Sequence, residues 1–350
     1  MSSVFGAVLC AGYGSRMRPF TEVIPKPLIP FLNTPLITYA LNHLAMANIS
    51  TVGINLSHLA DTIPPVVNPI AKVFGLQPVY SREWEMLGTA GGVRGIYEAL
   101  LKYHEESHLD PLADDDIIVV MNGDSVMNLD LLTHIEAHKA SGAEVSLLVR
   151  EKAKGQRGTV WIDNEKKLLT RVRTHTHPLF SDAQETEYDF AGVHFINVSL
   201  LNRLKLEPGD IITELYGPML EAGESIHVCV TEDYWAALDT PELYMEATSR
   251  CLEDPSLFKQ NPAGSTMKDG LAILAAGQID DDAKFKRPVF VGANTTIGPN
   301  TRVGSHVVLD AVELQPGAEV SNAVLYGMGA VEGEWRDCLA ILGKVKALKC

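Results

Sequence analysis

A short apolar run, residues 4–10, ends in a loop of small residues, Ala11-Gly12-Tyr13-Gly14-Ser15. Arg16, Arg18 and the sequence Pro25-Lys26-Pro27 follow directly behind it. That order leaves the chain few choices. The run is too short for a buried helix and the right length for one buried strand. The glycines let the backbone turn sharply at the strand's end and come close to a ligand. Successive N–H groups in such a bend make an anion-binding concavity. Arg16 offers a planar fork suited to phosphate, and Lys26 a movable point charge. Together they predict a strand that delivers a triphosphate cradle. Neither the GxxxxGK-S/T loop nor the GxGxxG fingerprint is present, so those two mechanisms are not implied.

The periodicity behind this segment alternates. Residues 35–47 carry Leu36, Ile37, Ala40, Leu41 and Leu44 at helical spacing, and 51–56 read as a strand. Val79-Tyr80 suggests a short edge strand, 95–103 a helix, and 116–121 (DIIVVM) a continuous apolar strand. This alternation predicts an α/β, Rossmann-like, mostly parallel sheet with helices on both faces. Ligands then bind beyond the carboxyl ends of the strands, where the opening loop and Asn122-Gly123-Asp124 both fall. A carboxylate at 124 can hold Mg²⁺, or it can simply be a turn aspartate. Strands at 144–150, 159–163, 189–197 and 225–230 extend the sheet, with a polar loop at 175–187 and a helix at 210–222. Thr240 as cap and Pro241 at the first helical position open a further helix that runs to about Cys251.

The C-terminal part repeats. Val291, Ile297, Val303 and Leu309 recur every six residues, and Gly292, Gly298 and Gly304 each follow one. After a break, Leu314 and Val320 resume the step. A hexapeptide repeat of this kind predicts a small C-terminal left-handed parallel β-helix with its aliphatic side chains stacked inside. The expected plan is therefore a nucleotide-handling domain at 1–252, a linker at 253–283 and the β-helix with its tail at 284–350. So few turns of β-helix must lean on the first domain or on another subunit, which makes a homo-oligomer through the β-helix an expectation.

Composition excludes several classes. The chain of 350 residues is 46% hydrophobic with a formal net charge of -15, so it argues against a nucleic-acid partner and for phosphate-binding cations gathered locally. Cys10, Cys229, Cys251, Cys338 and Cys350 are far apart and form no CxxC pair, which suits reduced thiols in the cytoplasm. No signal peptide and no membrane span are expected.

The stretch from Leu9 to Pro27 resembles the opening motif of the sugar-nucleotide pyrophosphorylases, a nucleotidyltransferase family. That motif runs L-x-x-G-x-G-S/T-R-L/M-x-P-x-T, a short gap, then P-K-P. Leu9, Gly12, Gly14, Ser15, Arg16, Met17, Pro19, Thr21, Pro25, Lys26 and Pro27 match it. The resemblance covers about 7–247 through ordered motifs, and the hexads extend it to about 331. It implies an NTP and a sugar 1-phosphate as substrates, Mg²⁺ as cofactor, and an NDP-sugar and pyrophosphate as products. It implies that Arg16 holds the leaving phosphates and that Lys26 neutralises charge at the α-phosphate, as the catalytic pair. Leu9, Ala11, Gly12, Gly14 and Ser15 then contact the nucleotide. So do Gly88, Thr89 and Ala90, in a segment similar to the family's L-G-T-A-G. Asp124 stands where the family places a metal-binding aspartate. Gly158 and Gly192 resemble the glycines of Y-G-V/T-V and A-G-I/V, which line the sugar pocket.

Two departures stand out. The family's W-x-D-x-G-T-P reads here Trp235-Ala236-Ala237-Leu238-Asp239-Thr240-Pro241, with alanine in place of the second metal aspartate. Positions 237 and 239 share a face of an extended segment, so Asp239 is the candidate second ligand. The family's E-K-P is absent, and Arg173 is the candidate replacement for its sugar-phosphate lysine. The plan of catalytic domain plus short β-helix is similar to mannose-1-phosphate guanylyltransferases, so GTP and mannose 1-phosphate are the expected pair. Ala237 opens an alternative, a non-catalytic regulatory homologue that binds a nucleotide-sugar. His306 raises an acyltransferase built on the same repeat, which would need many more hexads to form a coenzyme A groove.

Overall fold

The computed structural model describes residues 2–152, 157–179, 185–258, 270–273 and 278–348. Two compact units are distinguished. Met1–Gly12, Ala40–Gly123 and Leu129–Trp235 form the first; Tyr13–Tyr39, Asp124–Asn128 and Ala236–Cys350 form the second. This differs from the expected division at 252. The segment Tyr13–Tyr39 groups with the C-terminal third, and its polar groups show why. The Tyr244 hydroxyl donates to the Pro30 carbonyl, and Lys344 Nζ lies 3.5 Å from Glu22.

The first unit is built on a ten-stranded sheet. From one edge, Gln77–Arg82, Thr51–Leu56, Val4–Leu9 and Ile117–Asn122 run parallel to one another. Glu185–Asn197 then lies antiparallel to Ile117–Asn122, to Val145–Glu151 and, at its start, to Val160–Asp163. Leu168–Val172 is antiparallel to Val160–Asp163 and to His227–Thr231. The sheet is therefore mixed α/β, where the sequence pattern led to a mostly parallel one. The cause is the connections. The helices Leu36–Met46, Ile63–Phe74 and Gly88–Glu106 supply the long crossovers that parallel neighbours need, whereas Val160–Asp163 and Leu168–Val172 meet through a short turn that forces reversal.

Ile117, Ile118, Val119, Val120 and Met121 are all buried, as a strand covered on both faces requires. Their neighbours in the core include Ala7, Val93, Ile96 and Leu100. Helix Gly88–Glu106 begins well before the apolar spacing at 95–103 and so includes the glycine-rich segment in its first turns. Helices Ile63–Phe74 and Leu131–Ser141 were not legible. The first carries Pro64 and Pro65 in its opening turn, where missing N–H groups cost nothing. The second buries only Leu131, Ile135 and His138. The stretch 175–187, expected as loop, contains the strand His175–Thr176 and the start of Glu185–Asn197, while 180–184 lie outside the described residues.

The register sets the working end of this unit. Leu9 pairs with Asn55 on one side and with Asn122 on the other, so three strands end level.

In the second unit, residues 13–39 form three successive tight turns, Ser15–Met17, Phe20–Glu22 and Lys26–Leu28. Met17, Phe20, Ile29 and Phe31 are fully buried beneath them. The C-terminal strands form parallel ladders. Val291 pairs with Leu309 three hexads on, while Ile297 pairs with Leu314 and Val303 with Val320, one residue short because of the break. All six side chains belong to one buried cluster. Glu334–Ile341 continues the parallel stack, and Lys344–Ala347 turns back on it antiparallel. Of the linker expected at 253–283, Leu271–Ile273 is a strand parallel to Val289–Val291, and 259–269 and 274–277 lie outside the described residues. Among the described residues no helix is long and apolar enough to cross a membrane.

Candidate active site

Four of the residues singled out in the sequence meet in the second unit. Lys26 Nζ donates to Asp124 Oδ2 and to Asp239 Oδ1, at 2.7 Å in each case. Arg16 Nη2 lies 3.1 Å from Asp239 Oδ2. The Lys26 side chain is only 7% exposed, against 32% for Asp124, 25% for Asp239 and 68% for Arg16. Two cations and two carboxylates thus balance, with the ammonium at the centre and the guanidinium at the rim.

Local backbone chemistry puts each group there. Gly14 has φ 59° and opens the first turn. A side chain at 14 would come within 2.8 Å of Thr21 Cγ2 and 3.1 Å of Lys26 Cβ, so only glycine permits the close stacking of these turns. The Thr21 hydroxyl donates to the Gly14 carbonyl at 2.9 Å and locks the stack. Pro25 and Pro27 flank Lys26 and fix it at the start of its own turn. Asp124 precedes the strand Ser125–Met127, which pairs with Trp235–Ala237. Asp239 follows that partner, immediately before Thr240, whose hydroxyl caps helix Pro241–Glu253 by accepting from Leu243 N–H at 3.3 Å. The Ala237 side chain carries no oxygen, and the carboxylate two residues on is the one that converges with Asp124.

Magnesium takes one or two protein carboxylates and completes its shell with water and substrate phosphates. Two half-open carboxylates that already converge on one cation suit that pattern. Among the described residues no group of three or more His, Cys, Asp or Glu is arranged to cage a metal by itself. The donor set therefore fits an ion that borrows ligands from phosphate.

The first unit holds the remaining predicted residues. The Leu9 carbonyl accepts from Gly123 N–H at 3.0 Å, which ties the end of the first strand to the turn before Asp124. Ala11 is buried, and the space beside Gly12 is open, with no atom within 4 Å of where a side chain would start. Gly14 and Ser15 lie beyond, in the turn already described. The L-G-T-A-G segment is laced to residues 209–211. Ala90 N–H donates to the Gly209 carbonyl at 3.1 Å, Gly209 N–H to Leu87 at 3.0 Å, and the Thr89 hydroxyl accepts from Ile211 N–H at 2.8 Å. Gly88 begins the helix there.

Gly192 sits in the bulge between Phe190 and His194, against Asn122 at the end of its own strand. The Trp235 indole donates to the neighbouring Ala191 carbonyl at 2.8 Å. Gly158 N–H donates to Glu187 Oε2 at 3.2 Å. The Arg173 fork is engaged by Asp210, at 2.9 and 3.1 Å, and Asp210 in turn accepts from Ile212 and Thr213 N–H. Arg173 is therefore paired with the carboxylate that caps a helix start, on a side chain that is half exposed. His306 Nε2 lies 2.8 Å from Glu253.

Sequence reasoning passed over two residues at the level strand ends, Asn55 and Glu83. Both are buried, and Cys10 N–H donates to Asn55 Oδ1 at 2.7 Å. Their signal was an asparagine next to last in the strand TVGINL and an acidic residue just past the next strand.

Comparison with known proteins bears on this geometry. A family model described as nucleotidyl transferase matches residues 5–254. A UTP–glucose-1-phosphate uridylyltransferase of Synechocystis sp. is 26% identical over 91% of this chain and 82% of its own length. A probable mannose-1-phosphate guanylyltransferase 2 of Arabidopsis thaliana is 26% identical over 96% of this chain and 90% of its own. A mannose-1-phosphate guanyltransferase of Yarrowia lipolytica is 28% identical over 73% of this chain and 66% of its own. Among solved structures, a Bacillus anthracis protein described as a glucose-1-phosphate thymidylyltransferase, in complex with a sucrose, matches with a TM-score of 0.53 at 17% identity. That match covers 70% of this chain and 94% of the other, and it speaks to the fold alone.

Proposed function

The chain belongs to the nucleotidyl transferase family, and on that footing we propose that it is an enzyme joining an NTP to a sugar 1-phosphate with release of pyrophosphate. The observation that carries this reading is the Lys26 ammonium held 2.7 Å from Asp124 and from Asp239 at once. A phosphate oxygen of the sugar 1-phosphate attacks the α-phosphorus. The bond to the bridging oxygen breaks, and pyrophosphate leaves with the electron pair. No covalent enzyme intermediate is needed, so the work is positioning and charge neutralisation. Lys26, fixed between its prolines, meets the charge that builds at the α-phosphate. Arg16, largely exposed, swings from Asp239 to the leaving phosphates. The loop Leu9, Ala11, Gly12, Gly14 and Ser15 approaches the phosphates with its backbone, and Gly88, Thr89 and Ala90 the base and ribose. Asp124 and Asp239 would hold Mg²⁺, which neutralises charge shared by the two substrates when bound. Gly158 and Gly192 leave room for the sugar.

GTP and mannose 1-phosphate are the pair we favour. The support is that relatives named for that reaction align along nearly the whole chain, C-terminal hexads included. The six-residue period and the parallel ladders support reading the C-terminal strands as a short left-handed β-helix, through which copies of the chain would associate. The site of action in this reading is the cytoplasm, where the buried thiols of Cys229 and Cys338 stay reduced.

A second reading rests on Ala237: a regulatory homologue that binds the nucleotide-sugar without turning it over. Pyrophosphate release, measured for each NTP against mannose, glucose and other sugar 1-phosphates with and without Mg²⁺, separates the two. Turnover greatest with GTP and mannose 1-phosphate supports the first reading. A maximum with UTP and glucose 1-phosphate would replace the substrate pair. Binding without turnover for every pair would establish the second.

A further inference from the structure

In the first unit, the loop that starts at Cys10 and the segment that starts at Leu87 are joined by one chain of hydrogen bonds through two buried side chains. Cys10 N–H donates to Asn55 Oδ1 at 2.7 Å, Asn55 Nδ2 donates to Glu83 Oε1 at 2.7 Å, and Leu87 N–H donates to Glu83 Oε2 at 2.8 Å. Asn55 is 2% exposed and Glu83 4%. Both sit at the ends of adjacent parallel strands, Thr51–Leu56 and Gln77–Arg82. Gly92 leaves them room. A side chain there would come within 2.6 Å of Asn55 Nδ2 and 3.1 Å of Glu83 Oε1.

The direction of every bond in this chain is forced. Its two ends are backbone N–H groups, which only donate. The two side chains between them must each accept at the outer side and share one hydrogen in the middle. One carboxylate and one amide satisfy that demand. Two carboxylates lack the central hydrogen and set two charges together. Two amides leave an N–H facing an N–H. A buried donor without a partner pays its full desolvation cost, so the pairing is strict in the interior.

We propose that Asn55 and Glu83 are paired positioning residues, which hold the opening loop and the L-G-T-A-G segment at a fixed spacing before nucleotide arrives. This rests on the reading that both segments contact the nucleotide. The hydrogen-bond pairing itself does not depend on it. Pre-set spacing raises affinity because the ordering is done before binding. The polarity of the pair can be exchanged. With aspartate at 55 and glutamine at 83, Cys10 and Leu87 N–H again find oxygens and one N–H again bridges the middle.

The test is a double-mutant cycle of Asn55→Asp, Glu83→Gln and the two together. Amide hydrogen exchange is followed at Cys10 and Leu87, and dissociation constants are measured for GTP and UTP with Mg²⁺. Each single change is expected to speed exchange at both amides and to weaken nucleotide binding by about tenfold or more. The double change is expected to bring both readouts back to within about threefold of the parent. A double variant that exchanges and binds as poorly as the product of the single effects overturns the pairing. Exchange that follows the cycle while nucleotide affinity stays level in all variants overturns the positioning role. A parent protein that binds neither nucleotide overturns the functional reading instead, and the exchange arm still decides the pairing.

Discussion

Lys26→Met removes the cation that touches both Asp124 and Asp239, and the protein should respond in opposite directions to metal and to substrate. The two carboxylates each lie 2.7 Å from the ammonium. Without it they face one another at roughly 5 Å, a repulsion of about 3 kcal/mol at an effective dielectric near 20. Side-chain exposures of 32% and 25% let water screen part of this. Two charge-assisted hydrogen bonds are also lost, each worth about 1.5–3 kcal/mol. With screening taken into account the net loss is about 3 kcal/mol, at the low end for a broken buried ion pair. Urea unfolding in EDTA should show that loss. Millimolar Mg²⁺ should recover more than about 1 kcal/mol of it by ligand linkage, because the ion takes over the two carboxylates. Pyrophosphate release should meanwhile fall by about a hundredfold or more, since charge at the α-phosphate is no longer met. An equal stability gap with and without Mg²⁺ would refute the idea that these carboxylates form a cation site whose charge Lys26 helps to balance.

Two further outcomes follow from the same unit. Gly14→Ala adds a side chain at φ 59° against Thr21 and Lys26. It should cost about 2 kcal/mol in thermal unfolding and lower turnover by moving Lys26, and unchanged values in both assays would show that the stacked turns tolerate the group. Burial pushes the Asp310 carboxyl up to about 6, so its charged form is disfavoured in the fold. An acid whose pKa is raised by folding costs nothing at low pH, and the penalty grows as pH rises from its ordinary value of 3.8 through about 6. With discount for a side chain partly in water, Asp310→Asn should gain about 1 kcal/mol at pH 7.5 and nothing at pH 4. An equal gain at both pH values in urea unfolding would exclude this titration as the cause.

Much of this was legible because it is local. The strand Val4–Leu9, its glycine loop and Lys26 between prolines are dictated within a few residues, and the hexad aliphatics declare their stacking by period alone. Asp239 was legible as a carboxylate on the same face as position 237. What escaped was set by partners distant in sequence. Glu185–Asn197 reads as a strand, but nothing within it reveals that it returns antiparallel between Ile117–Asn122 and Val145–Glu151. The pairing of Arg173 with Asp210 escaped because the two are far apart along the chain. Asn55 and Glu83 gain their meaning only from the level ends of neighbouring strands, a product of register and not of composition.

Asp124 is the residue on which the proposed transfer most depends. Single-turnover reaction of α-labelled GTP with mannose 1-phosphate, in the parent protein and in Asp124→Ala, tests that most directly. The expected result is labelled GDP-sugar and pyrophosphate in equal amounts from the parent, dependent on Mg²⁺, and a loss of at least about a hundredfold in the variant. A variant that matches the parent in rate would contradict it.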